Sequence, residues 1–137
     1  MKRFAIAVLA LAFTPALAMA NPSGIWSRSN ETGETKIEIE ECNNQQYCGT
    51  IVWMENPRND TENPDPNLQG RPLVGVQIFN DMEQVNANKW EGSLYNPEDG
   101  NTYSGSLTQL GPDTLELEGC AFFILCQSDT WTRSTFP

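Results

Sequence analysis

The chain has 137 residues, a formal net charge of −10 and no histidine. Eight basic residues against 18 acidic ones exclude the basic stripe of a nucleic-acid binder, and an anionic membrane surface would repel the chain. Without histidine, neither a Ser-His-Asp nor a Cys-His catalytic arrangement can be built.

In chain order the first feature is a leader. Lys2 and Arg3 precede an apolar run over residues 4–17, broken only by Thr14 and Pro15, and Ala18-Met19-Ala20 supplies the small residues of a cleavage site. Residues 1–20 read as a secretory signal peptide, and residues 21–137 as one exported domain. The apolar run is shorter than the roughly 20 residues that span a bilayer, so no membrane span is expected. Export puts the four cysteines in an oxidising compartment, where disulfides are the default. They form two equal units, Cys42-x5-Cys48 and Cys120-x5-Cys126. Four cysteines allow three pairings, and their position at hairpin ends favours the two local ones. Zinc usually takes more closely spaced pairs, often with histidine, so neither a metal nor a cofactor is expected.

Beyond the leader, turn signals recur about every ten residues between short alternating runs, the pattern of an all-β sandwich or barrel. Residues 24–29 read as the first strand. In residues 36–40 Ile37 and Ile39 alternate with charged neighbours, which points the isoleucines inward. Residues 47–55 form the next strand, around Ile51-Val52-Trp53. A long break follows over residues 56–71, with Pro57, Pro64 and Pro66 among Asn and Asp. Proline removes ladder donors, so this is a loop, and loops of this length are often functional. Residues 73–79 resume an extended run, and 80–88 read as a short helical turn or loop. Residues 89–95, 101–110 and 114–118 are strands separated by Pro- and Gly-containing turns. The apolar, non-alternating stretch 121–125 reads as a buried core strand or, if exposed, as a docking patch or portal lip. Residues 128–135 close the chain. Eight or nine sequential antiparallel strands are best satisfied by an up-and-down barrel, which leaves no exposed edge.

Closure of a barrel brings the first and last strands together. Trp26 lies in the first, and Trp131 and Arg133 share a face of the last. A guanidinium stacked on the Trp26 indole would add roughly 0.5–2 kcal/mol. A Gly-x-Trp at the start with an Arg near the end resembles the lipocalins. A wider set of pieces resembles the bacterial exported family known as domain of unknown function 2147. They are Gly24-x-Trp26, Cys42 followed by Tyr47-Cys48-Gly49-Thr50-Ile51-Val52-Trp53, and Asp60-x-x-Asn63-Pro64. Further along stand Arg71-Pro72-Leu73-Val74-Gly75, then Trp90-x-Gly92-x-x-Tyr95-Asn96-Pro97-Glu98-Asp99-Gly100-x-x-Tyr103. Leu115-x-Leu117-x-Gly119-Cys120 and Thr130-Trp131-Thr132-Arg133 complete the set. The resemblance implies a small lipocalin-like barrel in the periplasm or outside a Gram-negative cell, and binding rather than catalysis.

The candidate site follows from what such a barrel can enclose. Trp53, Phe79, Trp90 and Tyr103 could line a cavity, with Arg71 as anchor for a charged end, and would take a small apolar or amphipathic ligand. The alternative is an acidic module that docks on a basic partner protein. In the long loop Asp60, Glu62 and Asp65 are the best pair-forming carboxylates for glycan chemistry, but solvated or turn-capping carboxylates explain them as well. Asn63-x-Asp65-x-Asn67 spaces oxygen ligands like a calcium loop, yet Leu68 and Val74 stand where an EF-hand needs Gly and Glu. Arg71 is expected to pair with Asp60 or Asp65 and hold the loop to the barrel.

Overall fold

The computed structural model describes residues 5, 7–12, 20–122 and 124–136. The leader expected at residues 1–20 falls largely outside this set, as does Phe123. Eight strands follow one another: β1 (Gly24–Asn30), β2 (Gly33–Cys42), β3 (Gln46–Met54), β4 (Gln77–Asn86), β5 (Lys89–Asn96), β6 (Asn101–Gly111), β7 (Thr114–Ala121) and β8 (Leu125–Ser134). Each pairs antiparallel with the next, and β8 returns to β1, so the sheet is a closed up-and-down barrel. The alternation in β2 buries Ile37 and Ile39 between outward charges, and β7 buries Leu115 in the same way. These side chains meet Trp26, Leu107, Trp90 and Trp131 in one core.

The meander gives the barrel two unlike ends. At one end lie residues 20–23 and the short turns 43–45, 87–88 and 112–113. At the other lie the turns 31–32 and 97–100, the reversal between Ala121 and Leu125, and the long connection 55–76. The first end is sealed. Trp26 is 0% exposed, and its indole N–H donates to the Pro22 carbonyl at 2.8 Å. Arg133 sits opposite Trp26 in the β1–β8 ladder, with its guanidinium 4.3 Å from the ring centroid. That guanidinium donates to the carbonyls of Pro112 (2.8 Å), Ser23 (2.9 Å) and Asn21 (3.3 Å). It thereby ties the chain start and the β6–β7 turn to the last strand. Gly24 is required beneath it: its φ is +130°, and a Cβ there would stand 2.8 Å from Arg133 Nη1.

Both local disulfides form, one at each end of the barrel. Cys42–Cys48 staples the β2–β3 hairpin and Cys120–Cys126 the β7–β8 hairpin. Each closes a loop of sequence separation 6, which in the chain-entropy picture contributes about 2 kcal/mol.

Three stretches differ from the expectation. The strand expected at 73–79 begins only at Gln77, because Leu73 and Val76 are buried as anchors of the preceding loop. Val76 N–H turns back to the Leu73 carbonyl (3.0 Å), and Gly75 between them has φ +101°. Residues 80–88, expected as a turn or loop, instead continue β4 to Asn86. Met82 is the one fully buried side chain in that part, and ladder pairing to β5 holds it extended. The apolar stretch 121–125 is not a core strand. It is the tip of the β7–β8 hairpin, with Phe122 86% and Ile124 81% exposed. Cys120 and Cys126 are direct cross-strand partners and Ala121 pairs with Leu125, so the chain reverses between these two residues.

Candidate functional site

The loop end carries what the sealed end lacks. Its long connection folds back on itself rather than spreading. Asn59 and Pro72 form an isolated antiparallel bridge, Asp60 N–H donates to the Arg71 carbonyl (2.9 Å), and Leu73 N–H to the Arg58 carbonyl (2.9 Å). Asn63 Oδ1 accepts from Asp65 N–H at 2.9 Å, the turn-capping role that Asn side chains favour. Gly100 lets the β5–β6 turn press on this loop: its φ is +74°, and a Cβ there would meet the Glu62 carbonyl.

Asp60 is the knot of the loop. It is 0% exposed and accepts from Tyr95 Oη–H (2.6 Å), Asn63 Nδ2–H (2.9 Å), and both Nε and Nη2 of Arg71 (2.9 Å each). Of the two carboxylates expected for Arg71, the fold selects Asp60. Burial pushes this carboxyl up, but the hydrogen bonds from Tyr95, Asn63 and Arg71 and the Arg71 charge outweigh it and hold the pKa below its ordinary value. Burial first, and then the bond to the Asp60 carboxylate, push the Tyr95 phenol from 10 to about 12. Both carboxylate oxygens of Asp60 are engaged by donors, so the residue fastens the loop to the barrel.

Beside the fastening, the barrel opens. A half-open cavity of about 730 Å³ lies between the β5–β6 turn and the β7–β8 hairpin. Ile78, Leu94, Leu117 and Trp131 give it an apolar floor. Gly119 widens it, since no side chain projects from that position of β7. At the rim stand Glu98, Asp99 and Asp129, together with Arg28 and Tyr103. Arg28 lies 2.9 Å from Asp129 Oδ2 and 3.6 Å from Glu98 Oε1. Tyr103 Oη–H donates to the Asp99 carboxylate, which holds the phenol above its ordinary pKa. Ile124 and Leu125 of the exposed hairpin tip form the outer lip. The volume lies within the roughly 300–1,000 Å³ of small-molecule pockets.

Of the residues expected to line a cavity, only Tyr103 reaches this one. Phe79 and Trp90 are core; the Phe79 ring lies against Gly49, and Trp90 meets Tyr47 edge-on at 5.9 Å. Trp53 is half-buried under the Lys36 ammonium, 5.6 Å from its ring centroid. Arg71 lines a separate open groove with Thr50, Pro72 and Gln77, its guanidinium already engaged by Asp60. The residue pattern alone did not single out Leu94, Leu117 and Gly119 as cavity residues. The signal was present: Leu94 and Leu117 fall on the inward period of β5 and β7, and Gly119 follows Leu117 on the same face.

Comparison with known proteins agrees with this architecture. No curated protein matches the chain. A solved structure with a similar fold is protein HP1028 from the human pathogen Helicobacter pylori, described as belonging to the lipocalin family. It superposes with a TM-score of 0.73 at 23% identity, covering 82% of each chain. At that identity the similarity establishes the barrel and nothing finer. The model of an uncharacterized protein family conserved in bacteria, DUF2147, matches residues 24–133, nearly the whole barrel from Gly24 to the closing Arg133. The protein therefore belongs to the DUF2147 family, with a lipocalin-like fold.

Proposed function

We propose that the protein is an exported, non-enzymatic carrier or sensor that holds one small apolar or amphipathic molecule in the cavity at the loop end. The observation that carries this reading is the cavity itself: one barrel end is sealed by Trp26 and Arg133, while the other keeps an open apolar floor. A barrel of eight strands either fills itself with side chains or holds one small ligand. Leaving Gly119 bare beside Leu94 and Tyr103 is the mark of a retained space. Export is supported by the two disulfides and by the leader pattern in the sequence.

The test uses Gly119. A Cβ there would stand 3.5 Å from Leu94 Cδ2 and 3.7 Å from Tyr103 Cβ, ordinary contact, so a larger side chain projects into the cavity without forcing the strand. The purified protein should bind the neutral fluorophore N-phenyl-1-naphthylamine at one site, and Gly119→Leu should abolish that binding with its unfolding midpoint preserved. Equal binding by the two proteins would end the cavity reading.

A second reading, an acidic module docking on a basic partner protein, draws on the exposed Phe122 and Ile124 beside the acidic rim. It requires association that weakens steeply with salt.

A further inference from the structure

We propose that the cavity selects amphiphiles with a cationic head over those with an anionic one; this rests on the cavity reading above. Two independent features meet at the mouth. The first is the apolar floor of Ile78, Leu94, Leu117 and Trp131, which fits a hydrocarbon body. The second is the charge of the rim. Its charged lining residues are three carboxylates, Glu98, Asp99 and Asp129, and one guanidinium, Arg28.

Arg28 does not make the mouth an anion site. Its guanidinium is within ion-pair distance of both Glu98 and Asp129, so its charge is already answered by the protein. Asp99 has no cation among the described residues. Its oxygens accept from Asn101 N–H (2.9 Å) and from the Tyr103 hydroxyl, both neutral donors. The rim is therefore net negative directly above an apolar floor. An alkyl carboxylate seated on that floor would hold its head against this field, whereas an alkylammonium would complete it. For a net rim charge of about −2 in a water-like dielectric, partly screened, the preference is about tenfold at low salt. The lip formed by Ile124 and Leu125 extends the apolar surface outward, so a chain longer than the cavity still finds contact.

Calorimetric titration of the purified protein with three probes of ten-carbon chain, the two ionic ones below their micelle concentrations and the neutral one below its solubility limit, tests the selection. The probes are decyltrimethylammonium, decanoate and neutral decanol. At low salt the cation should bind about tenfold tighter than decanoate, and the gap should close as salt rises. In Glu98→Gln/Asp99→Asn the gap between cation and anion should fall below about threefold. If that variant is unstable, the salt dependence of the unsubstituted protein tests the same charge effect. Gly119→Leu should lose all three probes. Decanoate binding as tightly as the cation overturns the charge selection and leaves the cavity reading standing. Cation binding that survives Gly119→Leu overturns it too, as adsorption to an acidic surface. Failure of all three probes overturns the cavity reading and the selection together.

Discussion

Replacing Trp26 with alanine is expected to lower the free energy of unfolding by about 3–5 kcal/mol, the range for emptying a fully buried large aromatic site. Three losses coincide there. The ring is completely enclosed, its N–H bond to the Pro22 carbonyl disappears, and the Arg133 guanidinium loses the face on which it stacks. The site has little freedom to collapse, because Arg133 is also tied to three carbonyls from two other segments. Arg133→Ala should cost less, about 1–2 kcal/mol, since the guanidinium is partly exposed and the ring beneath it remains. Urea unfolding followed by tryptophan fluorescence measures both. An unchanged midpoint for Trp26→Ala would mean that the first and last strands are held together by the ladder alone.

The second large effect lies at the opposite end. Arg71→Ala should destabilise by about 3 kcal/mol, because it leaves the enclosed Asp60 carboxylate without its cation. The figure sits at the low end of the range for broken buried pairs because the Arg71 side chain is itself 36% exposed. The network also sets the pH dependence. The folded pKa of Asp60 lies below its unfolded value, so its contribution is complete above about pH 4 and is lost as pH falls through the lowered folded value. Tyr95 has the opposite sign. Its folded pKa is raised from 10 to about 12, so its contribution is complete below pH 10 and is lost as pH rises through about 12. Asp60→Asn should flatten the acid limb of stability against pH, and Tyr95→Phe the alkaline limb. Stability curves that keep both limbs in these variants would show that other groups govern them.

How much of the fold is legible in the sequence depends on whether a local pattern has one physical outcome. The alternation around Ile37 and Ile39 has one: a strand with one wet face. The meeting of Trp26 with Arg133 is legible through closure, since a meander without edges must join its ends. The stretch 121–125 misleads because an apolar run invites burial. The local pairing of Cys120 with Cys126 already contradicts that, for a strand pair cross-linked at direct partners must turn within the residues between them. Residues 80–86 mislead because polarity says where a side chain ends and not which backbone state it takes; ladder bonds to β5 decide that. The cavity is harder still. Aromatic residues suggest a lining, but large rings pack best where they are fully enclosed, and Phe79 and Trp90 fill the core instead. Space is made by what is small, and Gly119 shows its inward place only through its spacing from Leu117.

Native mass spectrometry decides whether the loop-end cavity holds a ligand. The protein would be purified without detergent or denaturant from the bacterium that makes it, alongside Gly119→Leu prepared identically. A species carrying one small-molecule increment is expected in the unsubstituted protein, and the bare polypeptide mass in the variant. The bare mass in both, or the same increment in both, would contradict a ligand held in the loop-end cavity.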